Sequence, residues 1–187
     1  MPMSKPEQPS GPEREIDPVV RRVVLEVESH VADGGWDQPG RLYALVPTTE
    51  LIRAEPELAA KLGLDDTEAA GTLTPVEQDE VPADRQVEAL LAEIAWPPQV
   101  VGCAVVVERL VLPPSAEEEL PAPPGEQAEY AAAHPDRQEV RLAVAVTRDG
   151  RAHCAIRMRA HDSAAEVLDG PSLVPELISL ASGTLSD

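Results

Sequence analysis

Residues Arg137 to Ala160 form the only stretch in which apolar and polar residues alternate at period two on both sides of a turn signal. That pattern reads as a β-hairpin. On the first arm Val140, Leu142, Val144 and Val146 share one face, and Glu139, Arg141, Ala143, Ala145 and Thr147 share the other. On the second arm Ala152, Cys154, Ile156 and Met158 lie opposite to Arg151, His153, Ala155, Arg157 and Arg159. A two-residue loop at Asp149-Gly150 would set Val146 against His153 and Leu142 against Arg157, mixing an apolar set with a basic one. A three-residue loop, Arg148-Asp149-Gly150, with Gly150 left-handed in a G1 bulge, pairs Val146 with Ala152, Val144 with Cys154, Leu142 with Ile156 and Val140 with Met158. Burial therefore favours the longer loop.

The same register gathers Arg141, Arg157, Arg159, His153 and Arg151 on one face, with Ala143, Ala145 and Ala155 between them. From Arg137 to His161 six arginines stand against Glu139 and Asp149, a local excess of four positive charges in a chain of net charge −19. Three arrangements are open to such a face. Acidic segments of the protein can neutralise it internally, Glu108 serving as one partner if its strand adjoins the hairpin. It can be a solvated outer sheet face, or it can bind an acidic partner or a small anion.

Length and composition bound the alternatives. The 187 residues suit one domain, which would bury roughly two-thirds of its unfolded surface. With no Phe, two Trp and two Tyr, the core must be built from Val, Leu, Ile and Ala. The strong negative charge and the lack of aromatic platforms exclude nucleic acid as an expected partner. No run approaches 18 apolar residues and the amino terminus has no apolar signal core, so a cytoplasmic location without membrane contact is expected. Cys103 and Cys154 sit inside apolar strand patterns and read as small buried thiols rather than a disulfide.

Taken in order, residues 1–15 hold four prolines among polar residues and read as a disordered tail, leaving 16–187 as a single domain. Asp17 as N-cap, Pro18 at the first helical position and the stripe Val20, Val23, Val24, Val27 and Val31 predict a helix from Pro18 to about Ala32. Arg41 to Val46 reads as a strand, followed by two short helices divided at Pro56. Residues 64–83 read as an acidic, mobile loop in which Thr74-Pro75-Val76-Glu77 has capping-box spacing for one helical turn. Asp84 is expected to cap a helix bearing Val87, Leu90, Leu91 and Ile94. The run from Gln99 to Leu112, apolar on both faces until Glu108-Arg109, predicts the central strand. Residues 113–136 form a second insertion, Pro-rich and acidic, with a short helix between Glu126 and Ala133. After the hairpin come a polar connection holding one helical turn and a closing helix capped by Ser172, with Leu173, Leu177, Leu180 and Ala181 as its stripe. The fold class that follows is α+β, an antiparallel sheet of about four strands with helices packed mainly on its apolar face.

GWDQPGRLYALV and VVGCAVVVERLVLPPS, together with LTPVEQDEVP and HPDRQEVRLAVAVTRDG, resemble an uncharacterised actinobacterial family of small cytoplasmic proteins. The likeness runs from about Asp17 to the carboxyl terminus and implies a bacterial cytosolic protein, which also suits thirteen Arg against two Lys. The family carries no established activity to transfer.

The chain has no P-loop, GxGxxG, GxSxG, HExxH or CxxC motif, so no catalytic residue, metal ligand or cofactor is assigned. His153 and Cys154 are adjacent on a strand and must face opposite ways, which argues against a nucleophile and base pair. Trp36, Asp37 and Gln38 are candidates for a pocket mouth, although a Trp after a helix stop is more often a lid on the core, with Asp37 or Gln38 bonded to the turn backbone. The leading expectation is a non-enzymatic protein-binding or adaptor module whose binding residues are Arg141, Arg157, Arg159, His153 and Arg151. The alternatives are an enzyme or binder acting on a small anionic metabolite, and a chaperone-like homodimer that takes a second copy of the chain as partner.

Overall fold

The computed structural model describes residues 14–78, 81–82 and 84–186, so most of the 1–15 tail lies outside the described residues. Asp17 accepts hydrogen bonds from the amides of Val19 and Val20, and Pro18 opens helix α1 (Pro18–Asp33). The strands that follow are β1 (Arg41–Pro47), β2 (Leu73–Glu77), β3 (Gly102–Val111), β4 (Gln138–Thr147), β5 (Ala152–Met158) and β6 (Leu168–Gly170). They make one antiparallel sheet in the order β2-β1-β3-β4-β5-β6, with β3 inside it as its two-sided apolar pattern requires. The class is α+β, with six strands among the described residues rather than about four. Among the described residues no helix is long and apolar enough to cross a membrane.

Both additional strands lie at edges, where local patterns are weakest. Thr74-Pro75-Val76-Glu77 is not a helical turn but most of β2, with Pro75 paired to Leu45 on an edge that tolerates the missing amide. The Thr74 hydroxyl reaches Thr48 Oγ1 at 2.8 Å instead of capping a helix. At the other edge β6 has three residues, too few to show alternation, inside what reads as a polar connection.

The β4–β5 register is the one burial selects: Val146–Ala152, Val144–Cys154, Leu142–Ile156 and Val140–Met158. Gly150 has φ +86° and its amide donates to the Thr147 carbonyl at 3.0 Å, closing the three-residue loop. Beneath the loop Arg148 donates to the carbonyls of Val100 (2.8 Å), Trp96 (2.9 Å) and Leu185, tying the hairpin turn to the start of β3 and the end of the chain.

Helices cover both faces of the sheet, which corrects the expectation of helices mainly on one side. On the face of Val105, Val107, Val144, Val146 and Cys154 lie α4 (Val87–Leu91) and α7 (Pro175–Gly183). There Leu177, Ile178 and Ala181 are buried while Leu173 and Leu180 are exposed. Helix α7 begins three residues after Ser172, with Val174 as N-cap, because Pro175 fits the first turn and residues 171–173 form a turn and bend before it. Helix α4 is short, and its N-cap is Gln86 rather than Asp84. On the opposite face the valine stripe of α1 packs against Ala104, Val106, Ala143, Ala145 and Ala155, whose small side chains let the helix come close. Helices α2 (Thr48–Ala54) and α3 (Pro56–Lys61) link β1 to the β2 edge, and α5 (Pro114–Glu117) and α6 (Pro124–Ala133) occupy the β3–β4 connection.

Candidate functional site

The face that carries the arginines is the face that α1 covers, so it is not open. Arg141 and His153 are 0 % exposed and Arg157 is buried. A guanidinium cannot leave water without a carboxylate, and each buried arginine has one. Arg157 donates to both oxygens of Glu28 at 2.5 and 3.0 Å, and to Asp162 at 3.1 Å. Arg141 donates to Glu108 at 3.0 Å and to the Gly35 carbonyl. Glu28 sits inside the α1 valine stripe, one turn beyond Val24, and so reaches the sheet where apolar packing is densest.

Towards the β5 start, His153 Nε2 lies 2.7 Å from Asp169, which Arg21 of α1 also binds at 2.7 Å. Those two neighbours, Arg21 first, hold the Asp169 carboxyl below its ordinary range. Arg151 donates to Asp149 at 2.9 Å and reaches Asp17, the α1 N-cap, at 3.4 Å. The five basic residues therefore share a sheet face but not a ligand: His153 and Arg151 dock the first half of α1, and Arg141 and Arg157 anchor its second half and the following loop.

That loop builds the rim. Gln38 donates through Nε2 to the carbonyls of Val31 (2.8 Å) and Gly35 (2.7 Å), closing the helix end. Asp37 is a non-glycine residue at φ +63°, a conformation that aspartate adopts more readily than most residues. Its amide donates at 2.8 Å to the Glu108 oxygen not used by Arg141, and its carboxylate accepts two bonds from Arg159 at 3.0 and 3.1 Å. Two guanidinium groups lie over the Trp36 ring, with Arg141 Cζ 4.4 Å and Arg159 Cζ 5.6 Å from its centroid. Its indole N–H donates to Asp162 at 3.0 Å and, with Arg157, keeps that carboxyl below its usual range. Trp36, Asp37, Gln38, Arg141 and Arg159 thus form one cluster.

At the edge of this cluster is a cavity of about 170 Å³ lined by Trp36, Leu110, Arg159, Glu108, Arg109 and Glu139. Leu110 and its neighbour Val111 are 37 % and 40 % exposed at the end of β3. Arg109 is engaged by Glu88, and Arg159 also binds Glu139 at 3.0 Å. The sequence does not single out Leu110, because it falls after Glu108-Arg109 at the end of a strand otherwise read as covered on both faces. Glu28, Asp162 and Asp169 also escape a reading confined to the hairpin, although a glutamate inside a valine stripe is a signal that a cation waits opposite.

The thiols are placed away from this cluster. Cys103 and Cys154 are free, buried on the α7 face and separated by β4, and burial pushes the Cys103 thiol up to about 11. Among the described residues no group of three or more His, Cys, Asp or Glu is placed to hold a metal ion.

The chain belongs to the family described as PPA1309-like protein, which it matches over residues 20–186. That span holds every secondary-structure element of the described residues except the first two residues of α1. No curated protein and no solved structure matches.

Proposed function

We propose that this PPA1309-like protein is a non-enzymatic protein-binding module of the cytosol, whose partner docks at the rim formed by Trp36, Leu110, Val111 and Arg159. The observation that carries this reading is the small cavity beside two exposed apolar residues. A volume of about 170 Å³ accepts one side chain of a partner, whereas small-molecule sites run to about 300–1,000 Å³. A Trp and an Arg flanking an apolar centre, with charges of both signs around it, is the composition of an interface hot spot.

An anionic metabolite is the weaker alternative, because it would have to displace Glu88 from Arg109, or Asp37 and Glu139 from Arg159. His153 makes a poor general base for any substrate, since α1 seals it against Asp169. The buried arginines and their carboxylates cancel, so the long-range field remains that of a chain of charge −19. The partner is therefore expected to be basic overall, and its capture to weaken as salt rises. Two free thiols that cannot reach each other suit a reducing compartment.

The test is capture from the native cytosol by the wild type, Leu110→Glu and Leu62→Glu, with masses of the captured proteins determined. Leu62 is exposed elsewhere, in the segment after α3. Loss of a specific partner with Leu110→Glu but not Leu62→Glu is the expected result. Equal capture by all three would remove the rim as the docking surface, and recovery of the chain itself as partner would assign the rim to self-association.

A further inference from the structure

Strand β3 is ten residues long, and β1 covers only the first half of its edge. The β1–β3 register runs from Leu45–Gly102 to Arg41–Val106 and stops there, whereas β4 pairs with β3 as far as Val111. Among the described residues the edge from Glu108 to Val111 is therefore open on the β1 side. Strand β1 cannot close it, because continuing its register would set Pro39 opposite Glu108, and Pro39 has no N–H to give. The chain instead turns the Asp37 and Gln38 amides to the Glu108 carboxylate, at 2.8 and 3.3 Å.

In an antiparallel ladder one residue bonds to the neighbouring strand on one side and the next residue to the strand on the other. The Arg148 amide donates to the Val101 carbonyl, so the odd-numbered residues of β3 bond to β4. The Gln78 amide donates to the Leu42 carbonyl, so the even-numbered residues of β1 bond to β2, and Arg41, Tyr43 and Leu45 bond to the even-numbered residues of β3. Glu108 and Leu110 thus direct their backbone groups into the gap. The Glu108 carbonyl is met by the Arg109 guanidinium at 3.2 Å. The Glu108 amide and both backbone groups of Leu110 have no hydrogen-bond partner among the described residues. Sheet edges are normally blunted or covered, yet this one is bordered by the exposed side chains of Leu110 and Val111.

We infer that this half-edge of β3 receives an extended, basic segment of a partner protein, which adds a strand antiparallel to β3 and in line with β1, a mode of docking that rests on the rim being the docking surface. A residue paired with Leu110 shares its face, that of the cavity of about 170 Å³, and is therefore apolar. The alternate residues are cationic. In the pairs Arg41–Glu77, Arg109–Glu88 and Arg159–Asp37 the carboxylate is the more exposed member, so an arriving chain meets oxygen before guanidinium. A second copy of the chain would bring a further net charge of −19 to the same place.

The probe is acetyl-Lys-Val-Lys-Val-Lys-amide, titrated into the ¹⁵N-labelled full chain at 0.15 M salt, where exposed charges are screened beyond about 8 Å. Saturable shifts over residues 107–111 are expected, with slowed hydrogen exchange at the Glu108 and Leu110 amides and no change at Arg109. Methylating both valine nitrogens of the peptide should weaken binding about tenfold or more, and methylating the central lysine nitrogen should leave it within about twofold.

Equal binding by the two methylated peptides, or the reverse order, would overturn the added strand and leave the rim standing as a docking surface. So would the absence of saturable binding by the parent peptide, or a dimer mass in light scattering that the peptide does not reduce. Cytosolic capture that survives Leu110→Glu would instead remove the rim, and the added strand with it.

Discussion

The pair Arg157–Glu28 is the sharpest test of how this fold tolerates charge in its interior. Both side chains are nearly sealed, at 6 % and 3 % exposure, and the carboxylate is held by two guanidinium bonds. Glu28→Gln preserves shape but removes the negative charge, leaving Arg157 with Asp162, which is 46 % exposed and therefore screened. Two unit charges about 4 Å apart attract by about 4 kcal/mol at an effective dielectric of 20. Removing one member of a buried pair costs about 3–5 kcal/mol. Because Asp162 remains, the expected loss is at the lower end, about 3 kcal/mol, which corresponds to about 6–12 °C in Tm for a chain of this size. Urea denaturation followed by circular dichroism measures it. The double variant Glu28→Leu with Arg157→Met should recover to within about 1 kcal/mol of wild type, since an apolar pair of similar volume incurs no desolvation cost. A loss below about 1 kcal/mol for Glu28→Gln would match an exposed bridge such as Arg85–Glu93 and refute the sealed interface. A double variant as unstable as the single one would show that packing, not charge, sets the cost.

Two further outcomes follow from local geometry. Gly150→Ala should cost about 1 kcal/mol, from φ alone, because a Cβ there meets nothing within 4 Å; Gly102→Ala should cost more, since its Cβ would stand 2.4 Å from the Val146 carbonyl oxygen. Equal urea midpoints for Gly150→Ala and wild type would contradict the bulge. The Asp169 carboxyl, depressed by Arg21 and His153, contributes stability that is complete above its unfolded pKa of about 3.9 and is lost as pH falls through the lower folded value. Stability measured between pH 5 and 2.5 should therefore fall less steeply for Asp169→Asn than for wild type, and parallel curves would exclude this carboxyl from the acid transition.

The hairpin register was legible because a one-residue slip has a large and local consequence. Placing Leu142 opposite Arg157 would put a charge into the same core layer as Val144 and Val146, and no such layer can be neutralised from within the hairpin. The α1 stripe was legible for a similar reason, its valines repeating at helical spacing between a capping Asp and two glycines. What alternation cannot say is what lies against a face. Ala143, Ala145 and Ala155 suit an open surface with arginines on it, and they suit equally the close seat of a helix.

Glu28 separates these two readings. A glutamate in the centre of a valine stripe is costly unless a cation meets it, and among the hairpin's residues Arg157 stands at the matching depth of the sheet. That one pair is enough to assign α1 to the basic face. It also moves the positive charge from the outside of the molecule to the inside. The consequence for function follows directly. With Arg141 and Arg157 buried and paired with Glu108 and Glu28, the charges at the centre of the hairpin's basic face are neutralised inside the protein. Arg151 and Arg159 are the members of the set left near solvent, Arg151 paired with Asp149 and Asp17 and Arg159 held by Asp37 and Glu139 beside Trp36. The proposed docking rim therefore lies at the end of the strands, beyond the broad face that the basic alternation suggests and that α1 covers.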